Sequence, residues 1–129
     1  MSTLGRMREH VGVRRTVLIV DDHPSFRAMA TMLLDAEGFE VVGEAADGAS
    51  ALLAADHLRP DVVLLDVQLP DVDGFTVAER LTDAGSCAEV VLISSRDAVT
   101  YGARLTSSPA KGFIAKRELS GAALADALQ

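Results

Sequence analysis

The stretch Asp61-Val-Val-Leu-Leu-Asp66-Val-Gln-Leu-Pro70 reads as a strand buried on both faces, because four unbroken apolar residues stand between two acids and a proline follows. Strands of that kind belong to parallel sheets covered by helices on each side. Such a strand delivers its last side chain, here Asp66, to the carboxyl edge of the sheet, where open α/β folds bind ligands. An aspartate in that place is either a turn-forming cap or a working carboxylate. A second acidic terminus, Asp21-Asp22, closes the apolar run Thr16-Val-Leu-Ile-Val20 and favours the second reading.

Outward from this stretch, strand patterns at 16–21, 39–44, 61–66, 89–94 and 111–115 alternate with helical patterns at 24–37, 48–58, 74–84, 96–107 and 118–128. In the first helix Phe26, Met29, Ala30, Leu33 and Leu34 recur at helical spacing, and Gly38 follows as a stop. Pro24 suits its first turn, where no backbone N–H is needed. Asp47 is placed to cap the second helix, and Pro109 should end the fourth. Five βα units in succession imply one parallel sheet with right-handed crossovers and helices on both faces. Neither Gly-x-Gly-x-x-Gly nor Gly-x-x-x-x-Gly-Lys-Ser/Thr follows the first strand, so a nucleotide-binding version of this architecture lacks its phosphate cradle. Residues 1–15 form a polar, Arg-containing leader without periodicity, expected to be disordered, and 16–129 form the folded domain.

A chain of 129 residues suits a single core, which must be aliphatic, since the sequence is 49% hydrophobic but only 4% aromatic and has no Trp. The net charge of −7 argues against a nucleic-acid-binding surface; most of this acidity is expected to be ordinary surface charge, with some acids grouped to hold a metal. Cys87 is the only cysteine, which excludes a disulfide framework and a cysteine-based zinc site. No run resembles a membrane span, and the N-terminus lacks the apolar core of a signal peptide, so a soluble cytoplasmic protein is expected.

The strand termini carry the chemistry. With the second strand outside the first, Asp22 and Asp66 end on neighbouring central strands. Three carboxylates in one cleft raise one another's pKa, and a divalent cation removes that penalty. An all-oxygen acidic site suits Mg²⁺, which leaves positions open for a phosphate oxygen. The fourth strand ends in Ser94-Ser95 and the fifth in Lys116. A hydroxyl and an ammonium beside a metal-bound carboxylate form a receptor for a phosphoryl group. The carboxylate attacks phosphorus, Mg²⁺ and Lys116 neutralise the equatorial oxygens, and Ser94 hydrogen-bonds the attached group. His23, just before Pro24, reads as a loop residue rather than a metal ligand or phosphorelay histidine; His57 reads as a helix-end residue that favours the macrodipole when charged. Phe26, Phe39 and Phe75 read as core.

In these motifs the chain resembles the receiver domains of two-component response regulators, over about 16–128. The resemblance lies in Val-Leu-Ile-Val-Asp-Asp-His-Pro-Ser at 17–25, which is similar to the subfamily that often precedes helix-turn-helix output domains, and in Val-Val-Leu-Leu-Asp-Val-Gln-Leu-Pro-Asp-Val-Asp-Gly-Phe at 62–75. Ile-Ser-Ser at 93–95 and Gly-Phe-Ile-Ala-Lys at 112–116 complete it. The resemblance implies strand order 2-1-3-4-5, Asp66 as phosphoacceptor, Asp21 and Asp22 as metal-site acids, and the main-chain carbonyl of Gln68 as a further Mg²⁺ ligand. It also implies Ser94 as the switch hydroxyl, Phe113 as the mobile switch aromatic and Lys116 as the phosphate partner. A sensor histidine kinase is the implied donor, and a face formed by 96–128 the implied site of phosphorylation-dependent partner or self-association. With the fifth helix closing the chain, no DNA-binding domain is expected within these residues.

The sequence departs from the family in three places. Arg117 stands where many receivers carry proline, which leaves a cis peptide there without its usual support. Ser107-Ser-Pro109 replaces a stretch of small residues, and Gln68 and Arg96 stand near the site mouth, where they influence water access. Two alternatives remain. Asp71-Val-Asp73-Gly74-Phe75-Thr76 resembles the Asp-x-Asp-Gly-x-Thr of haloacid-dehalogenase-type phosphatases, which also use an aspartate nucleophile and Mg²⁺, although there the motif follows its strand directly and here Leu69-Pro70 intervenes. The other alternative is a receiver-like interaction module that is never phosphorylated.

Overall fold

The computed structural model describes residues 14–129, so the leader expected over 1–15 lies outside them except for Arg14 and Arg15. Five strands, β1 (Arg15–Val20), β2 (Phe39–Ala45), β3 (Val62–Asp66), β4 (Glu89–Ser94) and β5 (Gly112–Ala115), form one sheet in the order β2-β1-β3-β4-β5. All four pairings are parallel. The helices are α1 (Pro24–Ala36), α2 (Gly48–Leu58), α3 (Gly74–Asp83), α4 (Ala98–Tyr101), α5 (Ala103–Ser107) and α6 (Gly121–Ala127). A short 3₁₀ turn at Lys116–Glu118 precedes α6. β1 begins at Arg15, one residue before its expected start, and the Arg14 guanidinium donates to the main-chain carbonyls of Asp35 and Phe39 at 3.1 Å each.

Because side chains alternate across each strand, the sheet divides the core into two aliphatic layers. One face carries Leu18, Val20, Val63, Leu65, Val90 and Leu92 against Ala51 and Ala55 of α2 and Phe75, Val77, Ala78 and Leu81 of α3. The other carries Val17, Ile19, Val62, Leu64, Val91, Ile93 and Ile114 against Ala30 and Leu34 of α1 and Leu124 and Leu128 at the end of α6. β3 is buried along its whole length, as its continuous apolar run requires. Each fully buried aliphatic side chain contributes about 1.5–3 kcal/mol, so the central strands fix the position of their carboxyl termini firmly.

Local signals act as expected at several helix starts. Pro24 opens α1, and the Asp47 carboxylate accepts the Ser50 N–H at 2.8 Å to cap α2. Met29, assigned to the apolar stripe of α1, is 45% exposed, while Ala30 and Leu34 carry the buried face. The single fourth helix expected over 96–107 is instead two short helices, α4 and α5, divided at Gly102, whose φ of 55° and ψ of −126° no helix accommodates. Neither short helix has a fully buried residue, so packing does not enforce continuity. The fifth helix, expected from 118, starts at Gly121 after Ser120 caps it by accepting the Ala123 N–H. No described peptide bond is cis, including that between Lys116 and Arg117. Among the described residues, no helix is long and apolar enough to cross a membrane.

Candidate functional site

Strand register brings the acids together. Val20 pairs with Leu65 across β1 and β3, so the next residues, Asp21 and Asp66, stand side by side at the carboxyl edge. Asp66 is level with Ile93 of β4, and Ile93 with Ile114 of β5, which puts Lys116 two residues further on the same face. Alternation thus places Asp21, Asp66 and Lys116 on the α1/α6 side of the sheet. It places Ser94 and Phe113 on the α2/α3 side, in line with Leu92 and within reach of Phe75.

Lys116 is the centre of charge. Its ammonium is 2.5 Å from Asp21 Oδ2 and 3.2 Å from Asp66 Oδ2, and it lies 4.7 Å from the centre of the Phe26 ring. Asp21 is fully buried. Its Oδ1 accepts the His23 N–H at 2.8 Å, while its main-chain N–H continues the ladder to the Ala45 carbonyl and its own carbonyl accepts from Arg27. Asp66 is 2% exposed, and its Oδ1 accepts the Gln68 N–H at 3.1 Å. Burial pushes the Asp66 carboxyl up to about 6; the Gln68 N–H opposes this, the Asp21 charge adds to it, and Lys116 opposes it again. Burial also works against an ionised Asp21, but the Lys116 ammonium and the His23 contacts outweigh it and hold that carboxyl below its ordinary value. Burial lowers Lys116, yet its two carboxylate neighbours win and raise it.

Asp21, Asp22, His23 and Asp66 offer ligand atoms that all lie within 4.8 Å of one another. The His23 ring, two-thirds exposed, has Nδ1 3.1 Å from Asp21 Oδ1 and 3.0 Å from Asp22 Oδ1, so it is a solvent-facing loop residue that also leans on the acids. The buried Asp21 Oδ2 accepts no well-aligned hydrogen bond, and the Lys116 ammonium approaches it off that axis. A hard divalent cation fits this set: carboxylate oxygens are its preferred ligands, and it would satisfy the open lone pair and relieve the repulsion.

The two residues expected to act as the switch, Ser94 and Phe113, are brought to the opposite face. Ser94 is fully buried; its hydroxyl accepts the Arg96 N–H at 3.0 Å and lies 2.6 Å from the Tyr101 hydroxyl. Tyr101 sits between Phe75 and Phe113, with ring centres 5.6 Å and 6.0 Å away. Tyr101 was not among the expected site residues. Its visible signal is that it is the only tyrosine in a chain without tryptophan. Gly74, part of the motif at 62–75, is a second residue whose role was not expected. Its N–H donates to the Val67 carbonyl at 2.7 Å, and a Cβ there would lie 2.4 Å from the Asp66 carbonyl oxygen.

The acids of the phosphatase-like motif are occupied structurally. Asp73 caps α3 by accepting the Thr76 N–H at 2.9 Å and pairs with Arg104 at 2.7 Å. Asp71 accepts the N–H groups of Gly48 and Ala49 at 2.8 and 3.0 Å, tying the loop after β3 to the start of α2. Neither carboxylate is grouped with Asp66, whose partners come from β1 and the end of β5.

Residues 17–129 match the response regulator receiver domain. A transcriptional regulator of Pseudomonas aeruginosa is 38% identical over 102 residues, 79% of this chain and 49% of its own length. The DNA-binding transcriptional activator EvgA of Escherichia coli K12 is 33% identical over 101 residues, 78% of this chain and 50% of its own. The chain thus spans about half the length of the curated relatives it matches. Among solved structures, the signal receiver domain of NarL from Mycobacterium tuberculosis superposes with a TM-score of 0.80 at 34% identity, over 88% of this chain and 96% of that one. The CheX–CheY–BeF₃–Mg²⁺ complex from Borrelia burgdorferi matches with a TM-score of 0.77 at 29% identity, over 93% of this chain and 90% of that one. With a parallel sheet in the order 2-1-3-4-5 and acids closing its two central strands, this chain belongs to the response regulator receiver domain family.

Proposed function

We propose that this domain accepts a phosphoryl group from a sensor histidine kinase on Asp66 and uses it to switch an association surface. The observation that carries this reading is Asp66 itself, buried at the end of the central strand with an ammonium 3.2 Å from one carboxylate oxygen. In the transfer, an Asp66 oxygen forms the bond to phosphorus while the phosphorus–nitrogen bond of the kinase's phosphohistidine breaks and the imidazole leaves with the electron pair. Lys116 is placed to follow the charge from carboxylate to phosphoryl oxygen, and the Gln68 N–H holds the other Asp66 oxygen in orientation. Asp21, Asp22, Asp66 and the Gln68 carbonyl would hold Mg²⁺, which supplies charge neutralisation for the phosphoryl oxygens. The same site hydrolyses the acyl phosphate later, so the domain's chemistry is confined to its own phosphorylation and dephosphorylation.

The readout runs through the face built from α4, α5, β5 and α6, spanning 96–128. Its helices α4 and α5 contain no buried residue, and Val99 stands 86% exposed there. That combination suits an element with two arrangements and an apolar contact to offer. We assign kinase contact and phosphorylation-favoured homodimer formation to this domain. DNA contact, described for EvgA, is not assigned to this chain, in keeping with its net charge of −7.

Incubation with acetyl phosphate and Mg²⁺ is expected to add one phosphoryl mass to the wild-type chain and none to Asp66→Asn. Label retained by Asp66→Asn removes the assignment. Steady turnover of a phosphomonoester would instead favour the phosphatase alternative, and absence of label in wild type the non-phosphorylated module.

A further inference from the structure

The Ser94 hydroxyl has one proton and two lone pairs. One lone pair accepts the Arg96 N–H at 3.0 Å, and the Tyr101 hydroxyl at 2.6 Å engages either the proton or the second lone pair. Ser94 projects to the α2/α3 face of the sheet, whereas Asp66 and Lys116 project to the α1/α6 face. For Ser94 to meet a phosphoryl group on Asp66, its hydroxyl must turn from Tyr101 toward the carboxyl edge. Tyr101 also packs against both Phe75 and Phe113, with ring centres 5.6 Å and 6.0 Å away, so a rotation of Phe113 toward this cluster must displace the Tyr101 ring. Arg104 closes the stack from outside: its guanidinium lies 4.3 Å from the Phe75 ring centre and is paired to Asp73.

The segment carrying Tyr101 is built to move as a piece. Tyr101 is the last residue of the four-residue α4, and Gly102 immediately after it adopts a positive φ of 55°. The Gly102 N–H reaches the Ala98 carbonyl at 3.3 Å, a long closing bond for the turn, and no residue of α4 is buried. A four-residue helix anchored to the core chiefly by the half-buried Tyr101 and followed by a glycine hinge opens at lower free-energy cost than a helix with a fully buried face.

We propose that Tyr101 is a positioning residue, a latch that holds the Ser94 hydroxyl away from Asp66 and releases it, together with the path for Phe113, when Asp66 is phosphorylated. This rests on Asp66 being the phosphoacceptor. The latch sets the affinity of the unphosphorylated domain for phosphoryl groups, because a ligand that binds the released arrangement must first break the Ser94–Tyr101 bond.

Tyr101 is the only tyrosine and the chain has no tryptophan, so intrinsic fluorescence reports on this residue alone. Three measurements test the latch. Without any phosphoryl analogue, Ser94→Ala is expected to raise the acrylamide quenching constant of Tyr101 relative to wild type; an unchanged constant overturns the contact. With Mg²⁺, beryllofluoride is expected to raise quenching in wild type and not in Asp66→Asn. Tyr101→Phe keeps the aromatic stack and removes only the hydroxyl. Its half-saturating beryllofluoride concentration, followed by ¹⁹F NMR, is expected about fivefold below wild type, the factor equivalent to one net neutral hydrogen bond. An unchanged or higher value overturns the latch, and a higher one identifies a tyrosine that follows Ser94 instead of restraining it. If wild type takes up no beryllofluoride, the phosphoacceptor reading fails, and the regulatory role of the latch with it; the quenching of Ser94→Ala needs no analogue and still decides whether Tyr101 holds Ser94.

Discussion

Gly74→Ala isolates how closely the start of α3 is fitted behind Asp66. A Cβ at this position would lie 2.4 Å from the Asp66 carbonyl oxygen, 2.9 Å from Val67 Cα and 3.1 Å from the Asp66 carbonyl carbon. All three are backbone atoms, so no rotamer change relieves the contact, and the first falls about 1 Å short of the 3.4 Å where ordinary contact begins. Helix α3 cannot simply retreat, because the Gly74 N–H holds the Val67 carbonyl at 2.7 Å. Two effects oppose each other. Replacing glycine by alanine in a helix stabilises by up to about 1 kcal/mol, less at a first-turn position, whereas overpacking a rigid contact costs roughly 1–3 kcal/mol. The clash wins, by about 1–2 kcal/mol, which for a domain of this size lowers the melting temperature by roughly 5–10 °C. A shift of about 1 Å in the Asp66 backbone is also expected to slow labelling by acetyl phosphate about a hundredfold, the sensitivity typical of reacting groups held in place. Melting by circular dichroism and intact-mass labelling read the two effects separately. Gly38→Ala is the control: its φ of 104° carries a left-handed strain of about 1–2 kcal/mol, but no atom lies within 4 Å of the added Cβ, so it is expected to lose stability and keep its labelling rate. A Gly74→Ala protein that melts at or above wild type and labels at the wild-type rate would refute the reasoning.

Lys116→Met leaves the buried Asp21 and Asp66 carboxylates without their shared cation, which costs roughly 3 kcal/mol near neutral pH; melts at pH 8 and pH 5 are expected to show a smaller loss at pH 5, as Asp66 takes up a proton, and equal losses would argue against the ion-pair network. Mg²⁺ is expected to raise the melting temperature of Lys116→Met by more than that of wild type, and a flat response in both would remove the metal site. The Asp66 carboxyl titrates at about 6 in the fold against an ordinary 3.8, so the native state holds this proton more tightly than the unfolded chain. Its contribution is therefore fully present below about pH 4 and is lost as pH rises to about 6, an amount of order 2–3 kcal/mol. Urea unfolding without divalent cations is expected to show that loss in wild type relative to Asp66→Asn. Asp21 acts with the opposite sign, its stabilisation being lost only as pH falls below its ordinary range.

Much of this domain was legible in one dimension because its signals are local. Continuous apolar runs in β1, β3 and β4 mark strands buried on both faces, and they end where carboxylates or a hydroxyl begin. Pro24 and Asp47 act within one turn of their own helices, and both helix starts were readable. The fourth helix was not, because an apolar pattern over 96–107 says nothing of whether packing will hold Gly102 in a helical conformation, and in the structure none does.

The sequence by itself determined which groups reach the carboxyl edge: Asp21, Asp22, Asp66, Ser94 and Lys116 each close a strand, and a parallel sheet sends every strand's last residues to the same side. Tertiary structure alone decided what those groups do to one another. The Lys116 ammonium meets Asp66 from 50 residues away and shares itself with Asp21; burial raises the Asp66 carboxyl in spite of that ammonium, whereas Asp21 is held below its ordinary value. The register of β4 and β5 puts Ser94 and Phe113 on the opposite face, where Tyr101 lies between Phe75 and Phe113. The packing of α3 against β3 leaves no room for a Cβ at Gly74. Strand ends are set by local patterning, whereas distances between side chains from different strands depend on register and on helix packing, which no stretch of sequence contains alone.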